Sequence, residues 1–171
     1  AQKIELAKTE FSAEQRAAMK ARLAEDKKKA EAARKAEVAR AAEQARKAWA
    51  QGSEVDTNQY LTRKHVQSYG LRQTPGGVLI IPMLDVSGVI HGLQFIRSAS
   101  EAKNSNRPEK EYWPTGLAKK GHFFLIGTPT NVVLVAEGYA TAASLHAATG
   151  LPVAVAFDAH NLAPVANALR K

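Results

Sequence analysis

Three kinds of apolar and polar patterning follow one another along this chain. Residues 12–50 are mainly Ala, Lys, Arg, Glu and Gln, without Gly or Pro, a composition of strong helix formers. Ser12 with Gln15 three residues on has the form of a capping box, and Gln51-Gly52-Ser53 marks a stop. One long helix of roughly 55–60 Å is predicted. Its large apolar residues are few, Met19, Leu23, Val38 and Trp49. They make no sustained heptad stripe, which argues against a coiled coil.

The middle of the chain, residues 53–127, is mixed. "DTNQYLTRKHVQSYG" at 56–70 predicts a short helix ending at Gly70. "GGVLIIPMLDVSGVIHGLQFI" predicts a β-hairpin, with strands at 78–83 and 89–96 around the turn Asp85-Val86-Ser87-Gly88. Residues 98–110, "SASEAKNSNRPEK", have the composition of a polar loop, and a further short strand is predicted at 122–126.

Residues 128–171 alternate cleanly. Apolar runs at 132–136 and 153–157 are separated by a helix at 139–148 that Gly150 closes. Asn161 stands where it can cap a second helix running to about Leu169. Continuous apolar strands alternating with helices predict a parallel sheet covered on both faces. The expected class is therefore α/β: a long N-terminal helical segment (1–52), a small mixed subdomain with a hairpin (53–127), and a parallel β-α-β-α unit (128–171).

Each apolar run of that unit ends in a carboxylate, Glu137 and Asp158. A strand–helix–strand crossover makes the strands parallel, so both acids fall at the carboxyl edge of one sheet, where open α/β sheets bind ligands. Two such acids can hold a divalent cation or trade protons with a phosphate-bearing substrate, or they can simply cap the helices that follow.

Charge widens the choice of partners. The net charge is +8 and the pI about 9.8, an excess that favours nucleic acid over an anionic membrane surface. Residues 1–50 carry thirteen Lys or Arg against eight Asp or Glu. This describes either a solvated helix laced with i,i+4 ion pairs or a basic arm along a phosphate backbone. There is no cysteine, which excludes disulfides and thiolate zinc sites within the chain. The histidines at 65, 91, 122, 146 and 160 have no i,i+4 pairing, so zinc is not expected. No apolar run reaches about 18 residues, so no membrane span is predicted. Neither a Walker A string nor GxGxxG occurs, which gives no support to an ATPase motor or a dinucleotide site.

The string Glu137-Gly138-Tyr139-Ala140-Thr141-Ala142 resembles the EGYATA motif of plasmid- and phage-encoded DNA primases of the toprim superfamily. "YLTRK" at 60–64, "IPMLDVSGVIHGLQFI" at 81–96, "KKGHFFLIG" at 119–127 and "AFDAHNL" at 156–162 also resemble segments of such proteins. The resemblance covers roughly residues 55–171. It implies an α/β toprim fold whose glutamate and Asp-x-Asp pair bind Mg2+ (or Mn2+) and support nucleotidyl transfer on single-stranded DNA. By that resemblance Glu137 is the catalytic acid/base or metal partner. Gly138 permits a tight turn and close approach of substrate, Tyr139 packs or stacks, and Thr141 caps a helix or touches phosphate. Asp158-Ala159-His160 departs from the Asp-x-Asp pattern, and Gly is expected where His160 stands. The pair would follow a third strand beyond Lys171.

The chain, which begins with Ala1, is accordingly expected to be a piece cut inside the toprim domain, with an incomplete metal site, weak nucleic-acid binding and little activity alone. Its second strand is expected to lack a neighbour on one edge. Arg63, Lys64, His65, Arg72, Lys119, Lys120 and His122 are candidates for template or nucleoside triphosphate contacts, all directed at phosphate. Tyr112 and Trp113 beside Lys110 either stack on unpaired bases or anchor their loop in the core. A helicase or conjugation protein is a further expected partner, in a bacterial cytoplasm. The alternatives are toprim nuclease or topoisomerase chemistry, and a non-catalytic module that docks nucleic acid.

Overall fold

The computed structural model describes residues 11–170. The first ten residues of the basic segment, and Lys171 with whatever the toprim expectation places beyond it, lie outside the described residues.

Helix α1, Ala13–Gln51, starts where expected: the Ser12 amide donates to Gln15 Oε1 at 2.9 Å and the Gln15 amide to Ser12 Oγ at 3.2 Å. The chain divides into a unit ending at Ala36 and a second from Glu37 onwards. Within the first, every described side chain is exposed, and the pairs Glu25–Lys29 and Arg22–Asp26 sit at i,i+4 spacing. A solvated ion-paired helix and a basic arm for phosphate both require that exposure.

In the second unit the rest of α1 buries Ala41, Ala42 and Ala45. Their small side chains let the helix approach Ile80 and Leu93 closely, with Trp49 and Trp113 at the margin. Those partners belong to a five-stranded antiparallel sheet in chain order: β1 Ser53–Glu54, β2 Arg72–Gln73, β3 Leu79–Leu84, β4 Ile90–Ile96 and β5 Lys110–Trp113. The β3–β4 hairpin is the one expected, with Leu79 opposite Ile96, Ile81 opposite Gln94, and a register shift at Met83/Leu84. β3 does not alternate because both its faces are covered. Ile80 meets α1, while Leu79, Ile81 and Met83 face the main core with Leu61, Phe124 and Tyr139.

The second sheet has three short strands, β6 Phe124–Ile126, β7 Leu134–Ala136 and β8 Val153–Val155, ordered β6-β8-β7. β7 and β8 are parallel and β6 is antiparallel to β8, so the sheet is mixed. Its period of two assigns Val153 and Val155 to the face covered by helix α4, Tyr139–Thr149, and Ala154 and Ala156 to the face covered by helix α5, Leu162–Leu169. The sheets join where the amides and carbonyls of Leu84 and Phe123 exchange hydrogen bonds of 2.8 and 2.9 Å.

Several expectations change. The helix expected over 56–70 is only Gln59–Lys64 (α2): Asn58 caps it, and His65 turns left-handed at φ 53° and ends it before Gly70. The polar stretch 98–110 holds a helix, α3 Ala99–Ser105, and the start of β5. Ser98 accepts from the Glu101 amide, so S-x-x-E at 98–101 was an N-terminal cap signal hidden in loop-like composition. β8 has neighbours on both edges, since β6 supplies the one expected to be missing. A boundary at 127/128 thus runs between strands of one sheet.

Candidate functional site

Strand β7 delivers Glu137 and β8 delivers Phe157 and Asp158 to the same carboxyl edge, because Ala136 stands opposite Val155 in parallel register. The Ala156 amide extends the pairing to the Ala136 carbonyl at 2.8 Å. Glu137 is exposed, and among the described residues its side chain has neither an ion pair nor a hydrogen bond.

The motif around Glu137 is simpler than the resemblance implied. Gly138 is the N-cap of α4 with φ −121° and ψ 155°, an extended conformation any residue adopts, so no tight turn depends on it. A Cβ there meets nothing within 4 Å, which leaves open space beside Glu137. Tyr139 is in the core, its hydroxyl donating to the Gln67 carbonyl at 2.8 Å, so it packs and does not stack on a ligand. Burial pushes its phenol well above the ordinary value. Thr141 is exposed and does not cap α4, since Gly138 holds that position.

Around Asp158 the structure gathers a polar cluster. Asp158 pairs with the Lys119 ammonium, and its Oδ1 accepts from the Asn161 amide at 3.0 Å. Asp158 is thus the cap of the 3-10 turn Ala159–Asn161; Asn161 stands at the N-cap position of α5, as expected, but makes no side-chain cap hydrogen bond there. The hydrogen bond and charge of Lys119 hold its carboxyl below the usual range against the opposing effect of burial. Lys119 lies 4.4 Å from the centroid of the Tyr112 ring, within cation–π range. The Tyr112 hydroxyl donates to the Phe157 carbonyl at 2.8 Å. Burial raises the Tyr112 phenol, Lys119 opposes, and Asp158 and Glu137 raise it further; both edge carboxylates therefore act on this ring.

Asn161 is the brace of the cluster. Its side chain is buried, and every hydrogen bond it makes goes to backbone. It accepts from the Gly121 amide at 2.8 Å and donates to the carbonyls of Lys119 (3.2 Å), His122 (3.0 Å) and Ala156 (2.9 Å). The segment carrying Lys119 is thereby pinned to the end of β8.

The other basic and aromatic candidates scatter. Arg72 donates to the Trp49 carbonyl at 2.8 Å and covers that indole at 4.9 Å, a structural clamp between α1 and β2. Arg63 pairs with Glu109 at 3.7 Å and lines a cleft of about 570 Å³ with Thr57, Asn58, Gly76, Gly77 and Ser98; Lys64 is exposed at the end of α2. That cleft includes none of the acid-edge residues. Lys120 lines a separate cleft against α5. Trp113 packs edge-on to Phe95 at 5.9 Å, which favours its anchoring role. Lys110 is exposed, and Tyr112 is 39% exposed.

Two features had not been singled out. Phe157 has φ 73°, a strained conformation for a bulky residue with no sequence signal. Asp85 and His91 face each other across the hairpin turn at 2.8 Å, and His91 lies against His122 at 4.2 Å between ring centroids. Burial pushes Asp85 up, but hydrogen bonds from Ser87, His91 and the Val89 amide outweigh it and hold the carboxyl well below its ordinary value.

The residues present fit a divalent ion only in part. Glu137 offers one uncommitted carboxylate, whereas Asp158 is engaged by Lys119. No group of three or more His, Asp or Glu converges among the described residues, and none of their helices is long and apolar enough to cross a membrane. Comparisons with family models, with curated proteins and with solved structures return no match.

Proposed function

We propose that this chain is part of a toprim-type DNA primase acting in plasmid or phage replication or conjugation, in the bacterial cytoplasm, and that the Glu137 edge is its nucleotidyl-transfer site. The observation that carries the reading is an exposed glutamate immediately after a parallel strand, beside the partner strand's Asp158 and a lysine whose backbone Asn161 holds. The EGYATA string at 137–142 supports the family. In this reading Glu137 takes a proton from the attacking hydroxyl or joins a metal site. Lys119 and Lys120 meet phosphate, and single-stranded DNA and nucleoside triphosphates are the partners. The Mg2+ or Mn2+ donors that the described residues lack would come from an Asp-x-Asp pair beyond Lys171.

The test is Glu137→Gln in a protein carrying the whole domain, assayed for divalent-dependent nucleotide incorporation on single-stranded DNA. Loss of synthesis by about 100-fold or more with unchanged DNA binding is expected, as for removal of a general acid/base. Nicking in place of incorporation would move the reading to toprim nuclease chemistry. A second reading, a non-catalytic module, is favoured by the solvated basic stretch of α1 up to residue 36. It requires Glu137→Gln to change nothing and removal of that helix to abolish binding.

A further inference from the structure

We propose that Asp158 is a built-in competitor for the anion that Lys119 serves, so that a phosphate group binds this edge by taking the lysine from the aspartate. The inference rests on the reading above for its ligand, a phosphate oxyanion; the competition for the lysine follows from the Lys119–Asp158 pair itself.

The two partners differ in freedom. Asp158 is tied down, because its Oδ1 caps the Asn161 amide at 3.0 Å while the other oxygen meets Lys119. The Lys119 backbone is also fixed by Asn161, but its four-carbon stem leaves the ammonium free to pivot on the Tyr112 face. Both side chains reach solvent, Lys119 at 34% and Asp158 at 23% exposure, so a ligand in solution meets the pair directly. Glu137, Asp158 and Lys119 together carry one excess negative charge, which opposes anion entry while Asp158 holds the lysine. A phosphate, like the carboxylate, presents anionic oxygens to the ammonium, with equal or greater charge.

This arrangement differs in sign from one in which Asp158 merely positions Lys119 for its ligand. Competition makes Asp158→Asn tighten anion binding, because the amide keeps an oxygen for the Asn161 cap and releases the lysine. Positioning makes the same change weaken it.

The experiment is a double-mutant cycle on the whole chain with Asp158→Asn and Lys119→Gln. Affinity is read by fluorescence anisotropy for a labelled oligothymidylate and by calorimetry for ATP. Asp158→Asn is expected to tighten binding by about threefold to fivefold, the range of a partly exposed ion pair. Lys119→Gln is expected to weaken it, and the double variant to match Lys119→Gln alone. A gain confined to oligothymidylate assigns the site to a phosphodiester, and one confined to ATP assigns it to a triphosphate. Unchanged or weaker binding of both probes by folded Asp158→Asn overturns the proposal, as does absence of binding by every variant. If Asp158→Asn fails to fold, the Asp158 carboxyl carbon shift in the unmodified chain decides: it must move on saturation with inorganic triphosphate, and a fixed shift overturns the proposal. Failure of primer synthesis in the parent protein leaves this cycle unaffected.

Discussion

Beside the five-stranded sheet the covered charges Arg97 and Glu111 close on one another, whereas the three-stranded sheet carries Glu137 and Asp158 at strand ends where solvent reaches them. On β5, Glu111 meets Arg97 at 2.7 Å and Arg107 at 3.5 Å, and Arg97, whose side chain is 7% exposed, also donates to the Pro108 carbonyl at 3.2 Å. That network fastens the α3 excursion to the sheet. At the carboxyl edge of β7 and β8, Glu137 stands exposed and Asp158 shares a movable lysine. Charges that satisfy one another inside a sheet serve the fold; charges left on loops after parallel strands remain available to a ligand. Substitutions should separate the two regions by their effect on stability.

The largest loss is expected for Arg97→Met, which leaves the Glu111 carboxylate largely covered without its main partner. Urea unfolding should show about 2–4 kcal/mol of destabilisation, with much of it recovered by adding Glu111→Leu. Asn161→Ala comes next, at about 2–3 kcal/mol in the same assay, because four hydrogen bonds to buried or half-buried backbone groups are lost together. It should also weaken oligothymidylate binding by releasing the Lys119 segment. An Asn161→Ala protein as stable as the original would remove the brace from the account.

A smaller effect is expected from pH. Burial pushes the His122 imidazole below its ordinary 6.5, His91 adds to this, and Asp85 opposes it. The unfolded chain therefore takes this proton first. The contribution of His122 to stability is complete above about 6.5 and is lost as the pH falls from there towards the folded value. Thermal midpoints measured across that interval should fall with pH, and His122→Gln should flatten the slope. Asp85, depressed in the fold, contributes above its ordinary 3.8 and loses that contribution only as the pH drops below it. The smallest effect is expected for Glu137→Gln, within about 0.5 kcal/mol, since an exposed side chain away from packing and backbone caps contributes little. A large destabilisation there would make Glu137 a structural residue.

The elements with strong periodicity or chemical punctuation were legible in the sequence: α1 through Ser12 and Gln15, the β3–β4 hairpin through Asp85–Gly88, and α4 through Gly150. The edge position of Glu137 and Asp158 followed from the crossover alone. Less was legible where local chemistry and tertiary contacts compete. α3 looked like a loop because only Ala102 of its residues is buried, and β6 belonged to a sheet formed with strands later in the chain. Asn161 holds the expected N-cap position of α5, but its side chain is a brace, since its four partners lie at Lys119, Gly121, His122 and Ala156, which no local pattern links. The basic candidates looked equivalent as a list of charges. Packing sorted them, with Arg72 taken by Trp49 and Lys119 by Asp158.

The claim that the carboxyl edge of the three-stranded sheet is the working surface is tested most directly by titrating oligothymidylate into the isotope-labelled chain and mapping the amide shifts. The expected result is a set of changes at Tyr112, Lys119 to His122, Gly138 and Asp158 to Asn161, fading as salt rises. Changes confined to α1, or to the Arg63 cleft, with that edge silent, would contradict it.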